Sequence, residues 1–252
     1  MKISLPGNVF TAILLLNISE ELKTNVSIQK ASMVTQDLLD DKCDIAIIPS
    51  LDLIKNESLY VSSKLAISFD GPLANAYYKF PKNKLEIKNL FLRGDVSKNE
   101  VMTSQIVFQE LYKTKLQIVL DTEKNITENN SYLFTGNSIF DFNWTETGIS
   151  IAEQVSELIN LPYVNFIFAS KSEEKLRQLN KLIVRMDEKV INNIDATLDK
   201  FDYQSKVNSF IKGNLDSVYF EMTDNETEAL KELYKFSYFF KFVDDIFDIK
   251  FV

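Results

Sequence analysis

The sequence predicts an α/β protein of two lobes, and three observations carry the prediction. Short β-type runs alternate with amphipathic helical stretches from the first residues. A second alternation of the same kind begins near Ile87. Between the two lies "SFDGPLANAYYKF", an apolar run that reads as chain crossing from one lobe to the other.

Taken in order, "KISL" reads as a strand, and Asn8 caps a helix that runs to about Glu21. "VSIQKA" reads as a strand and "MVTQDLLDD" as a short helix. "CDIAIIPS" is a continuous apolar run of the kind found in strands buried on both faces. This βαβαβ order places Asn8 and Ser50 at the carboxyl ends of strands, where open α/β sheets take their ligands. After a short helical piece, "SSKLAISFDG" and "LANAYYKF" read as strands. The second run follows: strand "IKNLFLRG", helix 98–113, strand "LQIVLD", the polar loop "TEKNITENN", strand "SYLFTG", helix "ISIAEQVSELI" and strand "YVNFIFA". From Lys171 onward the pattern is mostly helical and closes on the aromatic run "LYKFSYFFKFVDDIF", which reads as core packing. The expected division is residues 1–75 with 166–252 as the first lobe, its C-terminal helices packed back on it, and residues 76–165 as the second.

Composition excludes several classes of function. A net charge of -8 and a pI near 4.8 argue against a nucleic-acid partner, since no basic block outweighs the acidic surface. A small anion remains compatible, because the N–H groups at helix starts bind one without a basic patch. The chain has one cysteine, Cys43, and no histidine, so it lacks a disulfide, the commonest zinc ligand and the commonest neutral-pH proton carrier. The apolar run Phe10 to Leu16 follows Lys2, but Pro6-Gly7-Asn8 interrupts it and no small-x-small site follows, so it is not expected to be a signal peptide. No apolar stretch reaches the roughly 18–20 residues that span a bilayer, and a cytoplasmic protein without a membrane partner is expected.

Five segments in this order carry a resemblance. They are "CDIAIIPS", "AISFDGPLANAYYKFP", "SKNEVMTSQIVFQELY", "YLFTGNSIF" and "ISIAEQVSELINLPYVNFIFAS". Together they resemble the futalosine-pathway menaquinone biosynthesis family, in which chorismate dehydratase is the best-known activity. The resemblance implies the two-lobed fold of type II periplasmic binding proteins. It also implies a carbon–oxygen lyase that forms 3-[(1-carboxyvinyl)oxy]benzoate from chorismate and needs neither metal nor cofactor. The family's catalytic Asn falls near Asn8, in "LPGNVFTA", and its second active-site position, a Ser, falls on Asn75. Its Thr-Ser at a helix start becomes Asn99-Glu100, and its Gly-Asp becomes Gly136-Asn137. These exchanges motivate an alternative, a catalytically inactive cytoplasmic binding protein for a small carboxylate.

The candidate site residues also have structural readings. Asn8 is an N-cap and equally the head of a helix that could receive a carboxylate, with Thr11 one turn on. Asn75 is a structural amide at the crossing or a ligand contact standing in for a hydroxyl. Ser97-Lys98-Asn99-Glu100 fits an S-x-x-E capping box, and Asp70 in "DGP" fits a turn; Ser97, Asn99 and Asp70 are nevertheless candidate substrate contacts. Ser50, Gly136 and Asn137 complete the expected pocket. The expected partner is a small anionic carboxylate.

Overall fold

The computed structural model describes residues 1–81, 87–123, 125–141, 143 and 148–252. Lys124 of the expected polar loop lies outside the described residues.

The first βα unit follows from its sequence. Strand β1 (Ile3–Pro6) is fully buried, and α1 (Val9–Asn17) starts directly after the Asn8 cap. The helix expected to continue to Glu21 instead stops at Ile18, which is extended, and a separate turn α2 (Glu20–Lys23) follows. Strand β2 (Val26–Gln29) lies at the sheet edge and is largely exposed, whereas β3 (Ile45–Pro49) is buried at every residue. Helix α3 (Ala31–Leu39) connects them. β1 pairs in parallel with both β2 and β3. Because the crossover from β1 to β2 and the one from β2 to β3 run in opposite directions across the sheet, right-handedness puts α1 and α3 on opposite faces.

A 3₁₀ helix, Ser50–Lys55, leads to β4 (Tyr60–Phe69), and the chain then crosses to the second sheet. That sheet contains β5 (Ala76–Lys79), β6 (Asn89–Gly94), β7 (Gln117–Leu120), β8 (Ser131–Thr135) and β9 (Ile149–Ser150), in the order β7-β6-β8-β5-β9. Helices α4 (Lys98–Tyr112) and α5 (Ile151–Ile159) pack against each other beside it. The chain returns in β10 (Tyr163–Ser170), which is antiparallel to both β3 and β4 and joins the first sheet at its centre. β10 begins three residues before the expected return to the first lobe.

Four helices follow: α6 (Glu173–Leu182), α7 (Met186–Leu198), α8 (Ser205–Gly213) and α9 (Asp224–Phe239). Two short strands fall among and after them. β11 (Val218–Glu221) pairs antiparallel with β4, and β12 (Lys250–Phe251) pairs with β4 in parallel. The first sheet thus has seven strands, in the order β11-β4-β10-β3-β1-β2 with β12 added on β4. Helix α7 packs on α1, and Phe10 meets Phe69 edge to face at 4.7 Å beneath it.

Candidate functional site

The start of α1 faces the second lobe. Asn8 is 4% exposed, and its Oδ1 accepts from the N–H groups of Phe10 and Thr11, each at 3.0 Å. The Thr11 hydroxyl accepts from Asn8 N–H at 3.3 Å and donates to the Pro6 carbonyl, which closes a capping box. Such a cap stabilises a helix by about 1 kcal/mol. The oxygen ends of both side chains are therefore engaged within the cap, and the Asn8 Nδ2 group is the end not used by it.

Asn75 sits where the chain crosses between the sheets, after β4 and just before β5. It is also 4% exposed, and its Oδ1 is buried without a hydrogen-bond partner. Its own carbonyl accepts from Gly136 N–H at 2.9 Å. Gly136 has φ +61, in the left-handed region, and a Cβ there would lie 3.2 Å from Asp95 Cβ. The next residue, Asn137, donates from Nδ2 to the Gly7 carbonyl across the lobes at 3.4 Å. Asn75, Gly136, Asn137, Gly7 and Asn8 thus form one continuous path between the lobes. Gly7, Asn137, Lys30 and Asp95 line a cavity of about 500 Å³ at this boundary.

A second set of expected contacts is used to join the lobes. Asn99 is fully buried; its Oδ1 accepts from Leu51 N–H at 2.8 Å, and its Nδ2 donates to the Asn165 carbonyl at 2.5 Å and to Ser50 Oγ at 3.3 Å. Ser50 Oγ itself donates to the Val164 carbonyl at 2.7 Å. Ser97 and Glu100 form the expected capping box, with Glu100 Oε2 accepting from both the N–H and the hydroxyl of Ser97 at 2.7 Å. Burial pushes the Glu100 carboxyl above its ordinary range despite these bonds. Asp70 is elsewhere: it accepts from Ser156 Oγ at 3.1 Å and lines a separate cavity of about 360 Å³ with Tyr219 and Glu226.

Three residues that matter here were absent from the expected set. Asp95, just after β6, places both carboxylate oxygens 2.9 Å from Ala31 N–H at the head of α3. Lys98 pairs with Asp52 across the lobes at 3.2 Å. Tyr234, from the aromatic run, donates its hydroxyl to the Ser50 carbonyl at 2.8 Å. Asp95 was findable, since it follows the carboxyl end of a parallel strand, where ligand-side residues gather. Cys43 is buried, and desolvation raises its thiol to about 11, which removes it as a nucleophile at neutral pH. Among the described residues, no group of three or more His, Cys, Asp or Glu could hold a metal ion, and no helix is long and apolar enough to cross a membrane.

No protein-family model matches the chain, and no curated protein matches it. Solved structures do. Protein AF1704 from Archaeoglobus fulgidus superposes with a TM-score of 0.70 at 14% identity, over 96% of this chain and 98% of that one. A structure described as an ABC transporter from Parabacteroides distasonis gives 0.65 at 11% identity, over 96% and 92%. The periplasmic aliphatic sulphonate binding protein SsuA from Escherichia coli gives 0.64 at 7% identity, over 99% and 95%.

These findings correct the enzymatic expectation. Two of these structures are described as an ABC transporter and a sulphonate binding protein, and none of the three as a chorismate dehydratase or other lyase. In physical terms, the carboxylate of Glu100 and the hydroxyls of Thr11 and Ser97 are spent on helix caps rather than held ready for proton transfer. The assignments to menaquinone biosynthesis and the futalosine pathway fall with the lyase. The cytoplasmic expectation is corrected by the same comparison, since the sulphonate-binding structure is described as periplasmic. The chain has the two-lobed α/β architecture of the type II periplasmic-binding-protein-like fold.

Proposed function

We propose that the protein is a non-catalytic receptor that holds a small organic anion between its lobes. The first lobe would comprise residues 1–75 and 166–252, and the second residues 76–165. The observation that carries this reading is Asn75, an amide with a buried, unpartnered end at the crossing between the sheets. A buried polar atom without a partner costs about 1–3 kcal/mol, and a ligand that bonds it recovers that cost. Rotating the amide by half a turn exchanges an acceptor for a donor, so the same position serves an N–H, an O–H or an oxyanion.

The expected contacts on the path between the lobes are neutral, the charged Asp70 lying at a separate cavity. The head of α1 supplies a positive dipole end, Asn8 and Asn137 supply amides, and Gly136 lets the backbone pass closely. Such a set binds an anion by oriented dipoles, as helix starts do elsewhere, and Lys30 and Asp95 are the charged residues on the adjoining cavity wall. The neighbouring boundary cavity of about 500 Å³, lined by Gly7 and Asn137 with Lys30 and Asp95 but not by Asn75 itself, lies within the range of about 300–1,000 Å³ usual for small-molecule sites. A carboxylate or a sulphonate fits this chemistry, and an aliphatic sulphonate is the ligand named for one of the structures sharing the fold.

The test is a calorimetric titration of the parent and Asn75→Ala with short carboxylates, alkane sulphonates and chorismate, followed by chromatography of the recovered ligand. One saturable ligand, returned unchanged and bound at least tenfold more weakly by Asn75→Ala, is the expected result. Saturable binding that Asn75→Ala leaves untouched would move the site elsewhere. Conversion of any of these compounds would overturn the receptor reading.

A further inference from the structure

The five residues between β6 and the first turn of α4 make contacts with the first lobe that need no ligand. Asp95 holds Ala31 N–H at the head of α3, Lys98 pairs with Asp52, and Asn99 bonds Leu51 N–H, Ser50 Oγ and the Asn165 carbonyl. Asp52 is itself buried and fixed by the hydroxyl of Thr35. The partners therefore belong to three separate elements that build or cover the first sheet: α3, the 3₁₀ helix after β3, and β10.

The contacts differ in their distance from the chain crossing. Asn165 is the third residue of β10, next to the point where the chain returns from the second sheet. Asn99 thus bonds close to the pivot. Asp95 lies farther out, on the cavity between the lobes that Lys30 and Gln29 also line. Any rotation of the lobes that opens this side must pull the Asp95 carboxylate off the α3 start. A carboxylate at a helix start is the arrangement by which such a start binds a free anion, and here the anion belongs to the opposite lobe.

We propose that residues 95–99 form a built-in latch, with Asp95 occupying the head of α3, which keeps the lobes together on the α3 side when no ligand is present. This inference concerns the ligand-free protein and stands apart from the identity of the ligand.

The experiment measures the distance between spin labels at Gln109 in α4 and Gln178 in α6, both exposed, in a Cys43→Ala background without added ligand. The parent is expected to give one narrow distribution. Asp95→Ala removes a charge-assisted bond, so its ratio of closed to open molecules should fall about tenfold or more, with Asp95→Asn between the two. Thermal melts of the same proteins confirm that each variant is folded. A parent distribution already broad, or an Asp95→Ala distribution that superposes on the parent, overturns the latch.

Discussion

Asn99, the second residue of α4, donates from its side-chain amide to the carbonyl of Asn165 in β10, so the longest helix beside the second sheet is bonded at its head to a central strand of the first. The same amide accepts from Leu51 N–H through its other end. Truncating it leaves a buried donor and a buried acceptor without partners. Asn99→Ala should therefore destabilise the protein by about 2–4 kcal/mol, read as a lower urea midpoint. Asn99→Asp restores only the acceptor and should recover less than half of that loss. A change below about 0.5 kcal/mol in the alanine variant would mean that the lobes do not depend on this residue.

The cap and the proposed anion contact at Asn8 separate cleanly in one substitution. Asn8→Asp keeps the oxygen that accepts from Phe10 and Thr11 N–H and adds a negative charge at a helix start, so stability should hold or rise by up to about 1 kcal/mol. The same charge repels an anion in the cleft, and affinity should fall at least tenfold. Asn8→Ala should instead cost about 1 kcal/mol of stability. Calorimetric binding beside a thermal melt distinguishes the two effects. An unchanged affinity in Asn8→Asp would remove the head of α1 from the site.

Gly136 links the two lobes through backbone geometry. Its φ of +61 disfavours any side chain, and a Cβ would press on Asp95 at 3.2 Å. Gly136→Ala should cost about 1–2 kcal/mol and should also broaden the interlobe distance distribution, because the residue it displaces is the outer end of the latch. Loss of stability with an unaltered distribution would confine the effect to backbone strain.

Much of the fold was legible because it rests on local rules. The buried strand Ile45–Pro49, the Asn8 cap and the Ser97–Glu100 capping box each follow from a few adjacent residues, and each formed as read. β11 and β12 did not stand out. They are strands only because β4 offers edges to them, and a run of two to four residues carries little periodicity of its own. The site was harder to read for a related reason. Sequence shows that Ser50 and Asn99 are polar, but only the approach of the head of α4 to the 3₁₀ helix and β10 shows that Asn99 bonds Ser50 Oγ and the backbone carbonyl of Asn165. Asp70 looked like part of the cleft because its turn adjoins the crossing, yet its carboxylate faces Ser156 and a different cavity. The lyase expectation failed at the same level. It transferred one role to Asn8, whose side-chain oxygen this fold spends on a helix cap, and the other to Asn75, an amide where the family has a hydroxyl.

Asp187 gives the protein a pH dependence outside the cleft. It lies in the first turn of α7 and accepts from Phe220 N–H, while burial first, and the carboxylates of Glu221 and Glu226 after it, push its carboxyl up to about 6. The unfolded chain titrates this group near 4, so the folded state binds the proton more tightly. Its favourable contribution is therefore complete below about pH 4 and is lost as pH rises through 6. Two pKa units correspond to nearly 3 kcal/mol for a dry group, and partial exposure reduces this to about 1 kcal/mol. Asp187→Asn keeps the acceptor for Phe220 and removes the charge. It should raise stability by about 1 kcal/mol at pH 7.5 and leave it unchanged at pH 4, as measured by urea unfolding at both values. An equal shift at the two pH values would assign the effect to packing rather than to the buried charge.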